Sequence, residues 1–563
     1  MAIRVPVGHE FFDEIIKNGA YYVDKTELLY ELLDKSEDKV ALITRPRRFG
    51  KSLNMSMIQS FLDIRKDSKD LFKGLAITKH EEFCKEWMNQ YPVIFVTLKD
   101  VEGLTFESAV GMLKFTVSDM YQAHSYLIND DRNSEKDRGF FKRILFREAG
   151  IDEIKQSFRI LTQMAASVYE KPVILIIDEY DVPLAKAREN GYYREMLEVI
   201  RGMLSTALKS NNDLKFAVVT GCLRIAKESI FTGVNNFKSY SVLNEKLSRY
   251  FGFTQGEIDD LLEKSNLTEK KELIRSWYDG YIFGNTAVYC PWDVVNFVSD
   301  LLYDSDEEPR NYWKNTSGNG ILREFVENEN FNVSGKFETL LNGGTITQTI
   351  SDELTYETLK LTEDNFWSVL LMTGYLTKAD PTEKGRTVAL RIPNLEVATI
   401  FEETVMSFFA DTVDTQRLTN LMNALWDGDE KTASEIFTDL LFDTISYMDY
   451  HEDYYHAFLA GIFVGRGFEV YSNKERGKGR PDILLLDKKN RRALVIEAKK
   501  STSEAQMPSD CEKALQQIKT LDYAKNVKGY RKVMVYGISF FEKTALVKGS
   551  SAKDPGTDSL SHS

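Results

Sequence analysis

Two groups of residues have the types and spacing to do chemistry on phosphate groups. In the first, the apolar run Val40-Ala41-Leu42-Ile43 leads through Thr44-Arg45-Pro46-Arg47-Arg48-Phe49 into Gly50-Lys51-Ser52. A buried strand, a loop, Gly-Lys-Ser and a following helix make a phosphate-binding loop. Backbone N–H groups and the helix N-terminus face the anion, Lys51 neutralises terminal phosphates, and the Ser52 hydroxyl can ligate Mg²⁺. A second segment, Val173-Ile174-Leu175-Ile176-Ile177-Asp178-Glu179, is an apolar strand delivering two acids to its C-terminal edge. Asp178 could hold Mg²⁺ through water, and Glu179 could polarise the water that attacks a γ-phosphate.

The usual loop pattern has glycine where this chain has Arg45, and a residue before proline is driven towards an extended backbone. The start of the loop must therefore differ, and a solvated basic turn ahead of an ordinary helix is the plain alternative. The strand Leu214 to Gly221 ends with Thr220, where a hydroxyl could sense the γ-phosphate. Just beyond it, Arg224 could reach a phosphate in its own or a neighbouring subunit, or could be a surface arginine.

The other group lies near the C-terminus. In Ala493-Leu494-Val495-Ile496-Glu497-Ala498-Lys499, Glu497 and Lys499 are two apart and project from one face of a strand. Charges inside an apolar strand are costly unless paired or bound to metal. Asp482 opens the neighbouring strand and can converge on them. Two carboxylates with a lysine suit phosphodiester hydrolysis: the acids bind Mg²⁺ through oxygen, and the lysine orients water or stabilises the transition state. A helix through Ala514 and Ile518 could bring Gln517 back to the site. A surface strand carrying a Glu–Lys pair is the alternative.

Strands alternating with helices to about Asn236 predict a parallel α/β domain that positions the first group. Asp24-Lys25-Thr26 could sit beside a nucleotide, but a helix cap is preferred on sequence. From Phe251 the chain turns helical and aromatic, with Trp277-Tyr278-Asp279-Gly280-Tyr281, Tyr289-Cys290-Pro291-Trp292 and Tyr312-Trp313. Few cations accompany these rings, so packing is preferred over base stacking. The expected domains are residues 1–245, a helical and mixed middle region 246–440, a second α/β domain 441–548, and an unstructured serine-rich tail 549–563.

Across 563 residues, 43% are hydrophobic and 28% charged, ordinary values for a globular protein. The net charge of −14 argues against a generally basic nucleic-acid coat, though not against one local groove. Cys84, Cys222, Cys290 and Cys511 form no C-x-x-C pair, which points to reduced cytoplasmic thiols rather than a zinc module. No stretch approaches a membrane span.

Together these motifs resemble bacterial AAA-ATPase-like proteins that carry a C-terminal PD-(D/E)xK nuclease-superfamily domain. The matching residues are Tyr22 to Thr26, Arg45 to Ser52, Asp178-Glu179-Tyr180-Asp181, Trp277 to Tyr281, Tyr455-His456, and Gly479 to Asp482 with Glu497 to Lys499. Arg45 in place of the first glycine is similar to the family's own variant loop. The implied fold is an AAA-like P-loop NTPase sheet, a mixed middle region and a nuclease-type α/β domain. The resemblance implies ATP binding at Gly50, Lys51 and Ser52, with Mg²⁺ and water handled by Asp178 and Glu179. It also implies a nuclease centre of Asp482, Glu497 and Lys499. By family position alone, Arg47 and Arg48 contact phosphate and Glu452 adds a metal-binding acid. The helix glutamine maps to Gln517, with neighbouring Gln516 leaving the register open.

The expected function is ATP binding and hydrolysis coupled to Mg²⁺-dependent cleavage of nucleic acid, with Mn²⁺ as an alternative nuclease metal. Defence or mobile-element roles are expectations from architecture. The alternative is a nucleotide-dependent binding or remodelling switch whose nuclease-like domain only holds nucleic acid or a partner. A homo-oligomer through Arg224 is conceivable, and no membrane partner is expected.

Overall fold

The computed structural model describes residues 3–34, 38–224, 237–313, 334–401 (apart from 342, 353, 355–361 and 384), 415–444, 469–472, 481–520 and 530–551. It also describes positions 455, 458, 459, 462 and 463. Glu452, His456 and the tail after 551 lie outside these residues. Contacts divide the chain into two compact units, 1–317 with 345–397, and 318–344 with 398–563. The expected middle region, 246–440, is thus shared between the two, because its parts pack on residues far away in sequence.

The first unit is built on five parallel strands: β1 (Val40–Thr44), β2 (Val93–Thr97), β3 (Val173–Asp178), β4 (Leu214–Gly221) and β5 (Phe237–Tyr240). Their order is β2-β3-β4-β1-β5, so β4 lies between the strand before Gly50-Lys51-Ser52 and the strand ending in Asp178. Every residue of β1 and β3 is buried. That accounts for their continuous apolar runs, since helices cover both faces of a parallel sheet. Helix α1 (Lys51–Leu62) leaves the sheet after Gly50, which has φ +78° and serves as its left-handed N-cap. Phe12, Leu28, Met57, Phe61 and Phe72 pack with β1 and β3 residues Ala41, Ile43, Ile174 and Ile176 in one core.

The hairpin β6 (Tyr281–Phe283) and β7 (Thr286–Val288) follows, then helix α2 (Pro291–Tyr303) and the three-stranded sheet β8 (Ile346–Thr349), β9 (Thr377–Lys378) and β10 (Thr387–Arg391). Phe49 of the loop before α1 sits 4.9 Å, ring to ring, from both Tyr281 and Phe283. Tyr278, Tyr281, Tyr289 and Trp313 are all buried, so these aromatics are packing groups. Gly280, φ +117°, lies so close to Pro393 that an added Cβ would stand 2.0 Å from its carbonyl oxygen. Gly280→Ala should therefore cost at least about 2 kcal/mol. Urea denaturation checks this, and an unchanged midpoint would refute the close approach.

The second unit holds the sheet β11 (Glu469–Ser472), β12 (Ile483–Asp487), β13 (Arg492–Lys500), β14 (Lys532–Phe541) and β15 (Thr544–Ser551), in that order. All neighbours are antiparallel except β13 and β14. Helices α3 (Thr415–Asp427) and α4 (Glu430–Thr444) share one core with Leu494, Ile496 and Ala498. On the opposite face α5 (Met507–Thr520) brings Ile518 against Val495 and Val535. Parity along β13 therefore puts Glu497 and Lys499 on the α5 face, as the two-residue spacing predicts.

Candidate functional sites

At the C-terminal edge of the parallel sheet, Ser52 Oγ donates to Asp178 Oδ2 at 2.7 Å, and Thr220 Oγ1 donates to Asp178 Oδ1. The strand order explains this bridge: β4 places Thr220 between the loop and the acid. Thr220 Oγ1 also lies 3.4 Å from the Glu179 backbone nitrogen, and its carbonyl accepts from Tyr180 N. These contacts hold Glu179 in the left-handed region, φ +53°, an uncommon backbone for a non-glycine residue. Burial raises the Glu179 pKa, as do Asp178 and Asp181, while Lys51 and Arg47 pull it down. Asp181 Oδ2 accepts from the backbone N–H of Cys222 and Leu223, both at 2.9 Å.

Lys51, buried, donates from Nζ to the carbonyls of Arg45 (3.0 Å) and Pro46 (2.9 Å). The ammonium is thus folded back onto its own loop. Arg45 explains how the chain manages without the usual glycine. Its guanidinium is fully buried over Phe251 and Phe283 and donates from Nη1 to the carbonyls of Thr44 and Tyr240, each at 2.8 Å. It therefore ties the loop to β5 rather than facing a phosphate.

A cavity of about 430 Å³ opens over this loop. Arg47, Arg48, Gly50, Lys51, Ser52 and Glu179 line one part, and Val5, Tyr21, Val23, Phe253, Leu261 and Trp292 another. Asp178 and Thr220 are buried and outside the lining, with Asp178 hydrogen-bonded to the lining residue Ser52. Both the size and the mixed lining are those of a small-molecule pocket. Sequence reasoning missed that Arg48, φ +72°, stacks its guanidinium 4.0 Å above the Trp292 ring. In the expected Asp24-Lys25-Thr26 cap, the Thr26 side chain makes no capping bond to the helix that follows. Asp24 instead accepts from Thr26 N and Ala76 N, and Lys25 holds Glu257 at 2.7 Å and the Arg249 carbonyl at 2.8 Å. Lys25 also lines the cavity. Arg224 is 3.6 Å from Asp352 within the same unit.

Asp293 and Glu396, both fully buried, lie close enough in the first unit to shift each other's titration. Glu396 also accepts from Trp313 N at 2.9 Å. The other three carboxyl oxygens meet no N–H or O–H donor of the protein, only the Cys290 thiol beside Asp293, and two neighbouring buried acids favour keeping a proton between them. Burial, and then the Asp293 charge, raise the Glu396 pKa far above the ordinary range. A raised folded pKa gives stability that is full below the unfolded carboxyl pKa of about 4.3 and is lost as pH rises towards the folded value. Glu396→Gln keeps a donor for Asp293 without titrating. Between pH 6 and 8 it should lose less stability than wild type, by up to about 1.4 kcal/mol per pH unit. Urea midpoints across that range check this, and parallel slopes would refute it.

In the second unit, Asp482 and Glu497 face each other at the open end of the β12–β13 hairpin. Asp482 Oδ2 accepts from Ala498 N at 2.8 Å, and the Asp482 N–H points to Glu497 Oε2 at 3.3 Å. Lys499 Nζ is 3.4 Å from Glu497 Oε1, which also accepts from Gln517 Nε2. The structure thus brings Asp482, Glu497, Lys499 and Gln517 together and selects Gln517 over Gln516 for contact with Glu497. Burial and then the Asp482 charge push the Glu497 carboxyl up to about 7, against the pull of Lys499. Two mutually repelling carboxylates form a donor set that suits a hard divalent cation. Among the described residues no group of three or more His, Cys, Asp and Glu side chains is arranged to hold a metal ion.

A nucleotide-type loop in a parallel sheet and a carboxylate–lysine centre in a mixed sheet define a two-module protein, and sequence comparison agrees on both modules. Residues 6–231 match the family described as Predicted AAA-ATPase, and residues 450–549 match the PD-(D/E)XK nuclease superfamily. The chain therefore joins an AAA-ATPase-like module to a PD-(D/E)XK-superfamily module. It is 24% identical, over 97% of its own length and 98% of the other, to a protein of Azotobacter chroococcum mcd 1 described as an uncharacterized protein in the vnfD 5' region. Among the described residues no helix is long and apolar enough to cross a membrane.

Proposed function

We propose that this protein binds and hydrolyses ATP in the first unit and cleaves nucleic-acid phosphodiesters in the second, with nucleotide state governing cleavage. The observation that carries the nuclease reading is the convergence of Asp482, Glu497, Lys499 and Gln517 on one end of one hairpin. Charges gathered there cost folding energy that a merely structural hairpin has no reason to bear. Asp482 and Glu497 would hold Mg²⁺ or Mn²⁺, which when bound supplies an activated water and offsets charge on the phosphorane. Lys499 places a positive charge beside the reacting phosphate, and Gln517 fixes the orientation of the Glu497 carboxylate.

In the ATP site, Lys51 and the N–H groups of the loop bind the terminal phosphates, with Arg47 and Arg48 beside them. Ser52 and Asp178 would hold the nucleotide's Mg²⁺, Glu179 orients the attacking water, and Thr220 fixes Asp178. The deciding experiment offers single- and double-stranded DNA and RNA to the full chain with Mg²⁺ or Mn²⁺, with and without ATP. Cleavage of at least one substrate that responds to ATP is expected. Cleavage of none would overturn the nuclease reading, and cleavage indifferent to ATP would overturn the coupling.

A further inference from the structure

The β12–β13 hairpin has a second charged end. Its closed end is the turn Lys488-Lys489-Asn490-Arg491, in which all four residues are exposed. The acid of that turn is turned inward: Asp487 is buried and accepts from Asn490 and from Arg492 Nε at 2.7 Å. Arg492 is further occupied by the Trp426 ring, 4.3 Å away. The fold then adds cations from a distant part of the sequence. Parallel pairing sets Lys532 beside Arg492, and Arg531 N donates to the Arg491 carbonyl at 2.7 Å. Arg531 and Lys532 are exposed as well.

A run of charge in a turn is usually just a solvated surface. Here two sequence-distant basic segments are set side by side, and like charges on neighbouring strands are destabilising. In a chain of net charge −14, such a concentration suits an anionic ligand. Six residues separate Glu497 from Arg491 at the turn before β13, about 20 Å of extended chain. That equals about six nucleotide steps at the B-form rise of roughly 3.4 Å per nucleotide.

We propose that this closed end, with Lys488, Lys489, Arg491, Arg531 and Lys532, is a phosphate-backbone contact for a polynucleotide whose scissile bond lies at Asp482 and Glu497. The inference rests on the nuclease reading and names where that substrate is held. Contacts of this kind position the strand without reading its sequence.

The test uses the full chain carrying Asp482→Asn, so that the probes stay intact. Fluorescent 30-mers of single- and double-stranded DNA and RNA are titrated by anisotropy between 50 and 200 mM NaCl. Two further chains add either K488E/K489E/R531E/K532E or the neutral K488Q/K489Q/R531Q/K532Q, with urea midpoints confirming that each is folded. Both should bind at least about tenfold more weakly at 100 mM salt. For duplex DNA the log–log salt slope should shrink by about 0.9 for each phosphate no longer neutralised. If the charge-reversed chain is unfolded, the neutral one decides. Affinity and slope equal to the reference chain would overturn this surface and leave the nuclease reading standing. A reference chain that binds none of the four probes would overturn both.

Discussion

Asp482→Asn should abolish metal-dependent cleavage, by at least about a hundredfold, while ATP turnover continues at the wild-type rate. The amide preserves the shape of the side chain and can still accept from Ala498 N, so the hairpin should stay closed. What disappears is one of two negative oxygen donors, and with it the carboxylate repulsion that adds to burial in lifting the Glu497 pKa. Lys499→Ala should be similarly inactive for a different reason, because it leaves both acids in place and removes the positive charge beside them. Calorimetric titration with Mn²⁺ separates the two: Asp482→Asn loses the binding heat and Lys499→Ala keeps it. Full cleavage by Asp482→Asn would remove that carboxylate from the chemistry.

Glu179→Gln should retain ATP binding and lower hydrolysis by about a hundredfold or more. The left-handed backbone at Glu179 is maintained by two contacts with Thr220 and places its carboxyl in the cavity lining. A raised pKa in a carboxyl beside the loop lysine fits a group that handles water rather than one that only neutralises charge. Lys51→Ala should instead lose binding itself, since it removes the ammonium proposed to neutralise the terminal phosphates. Nucleotide binding measured by fluorescence, together with phosphate release, distinguishes these outcomes. A Glu179→Gln chain hydrolysing normally would sink the assignment of Glu179.

Both candidate sites were legible in sequence wherever the signal is local. The apolar runs ending in Thr44, Asp178 and Thr220 are strands of one parallel sheet, and the spacing of Glu497 and Lys499 does put them on one face. What escaped depends on contacts between distant residues. Nothing near Arg45 announces that Phe251 and Phe283 will enclose it, and nothing near Lys25 names Glu257 as its partner. Asp293 reads as an ordinary acid in the first turn of a helix until the fold buries Glu396 against it. Arg531 and Lys532 gain meaning only when parallel pairing sets them beside Arg491 and Arg492. Glu452 lies outside the described residues.

The first unit takes residues 1–317 and then 345–397. A nascent chain released from the ribosome as far as Ser317 still lacks β8, β9 and β10, as well as Glu396. Those pieces finish emerging some 80 residues later, a delay of roughly 4 to 16 s at typical synthesis speeds. During that interval Asp293 has no acid to share a proton with, and Pro46 lacks the Gly374 that packs against it. The AAA-ATPase-like unit is therefore completed only after a stretch of the other unit has been synthesised.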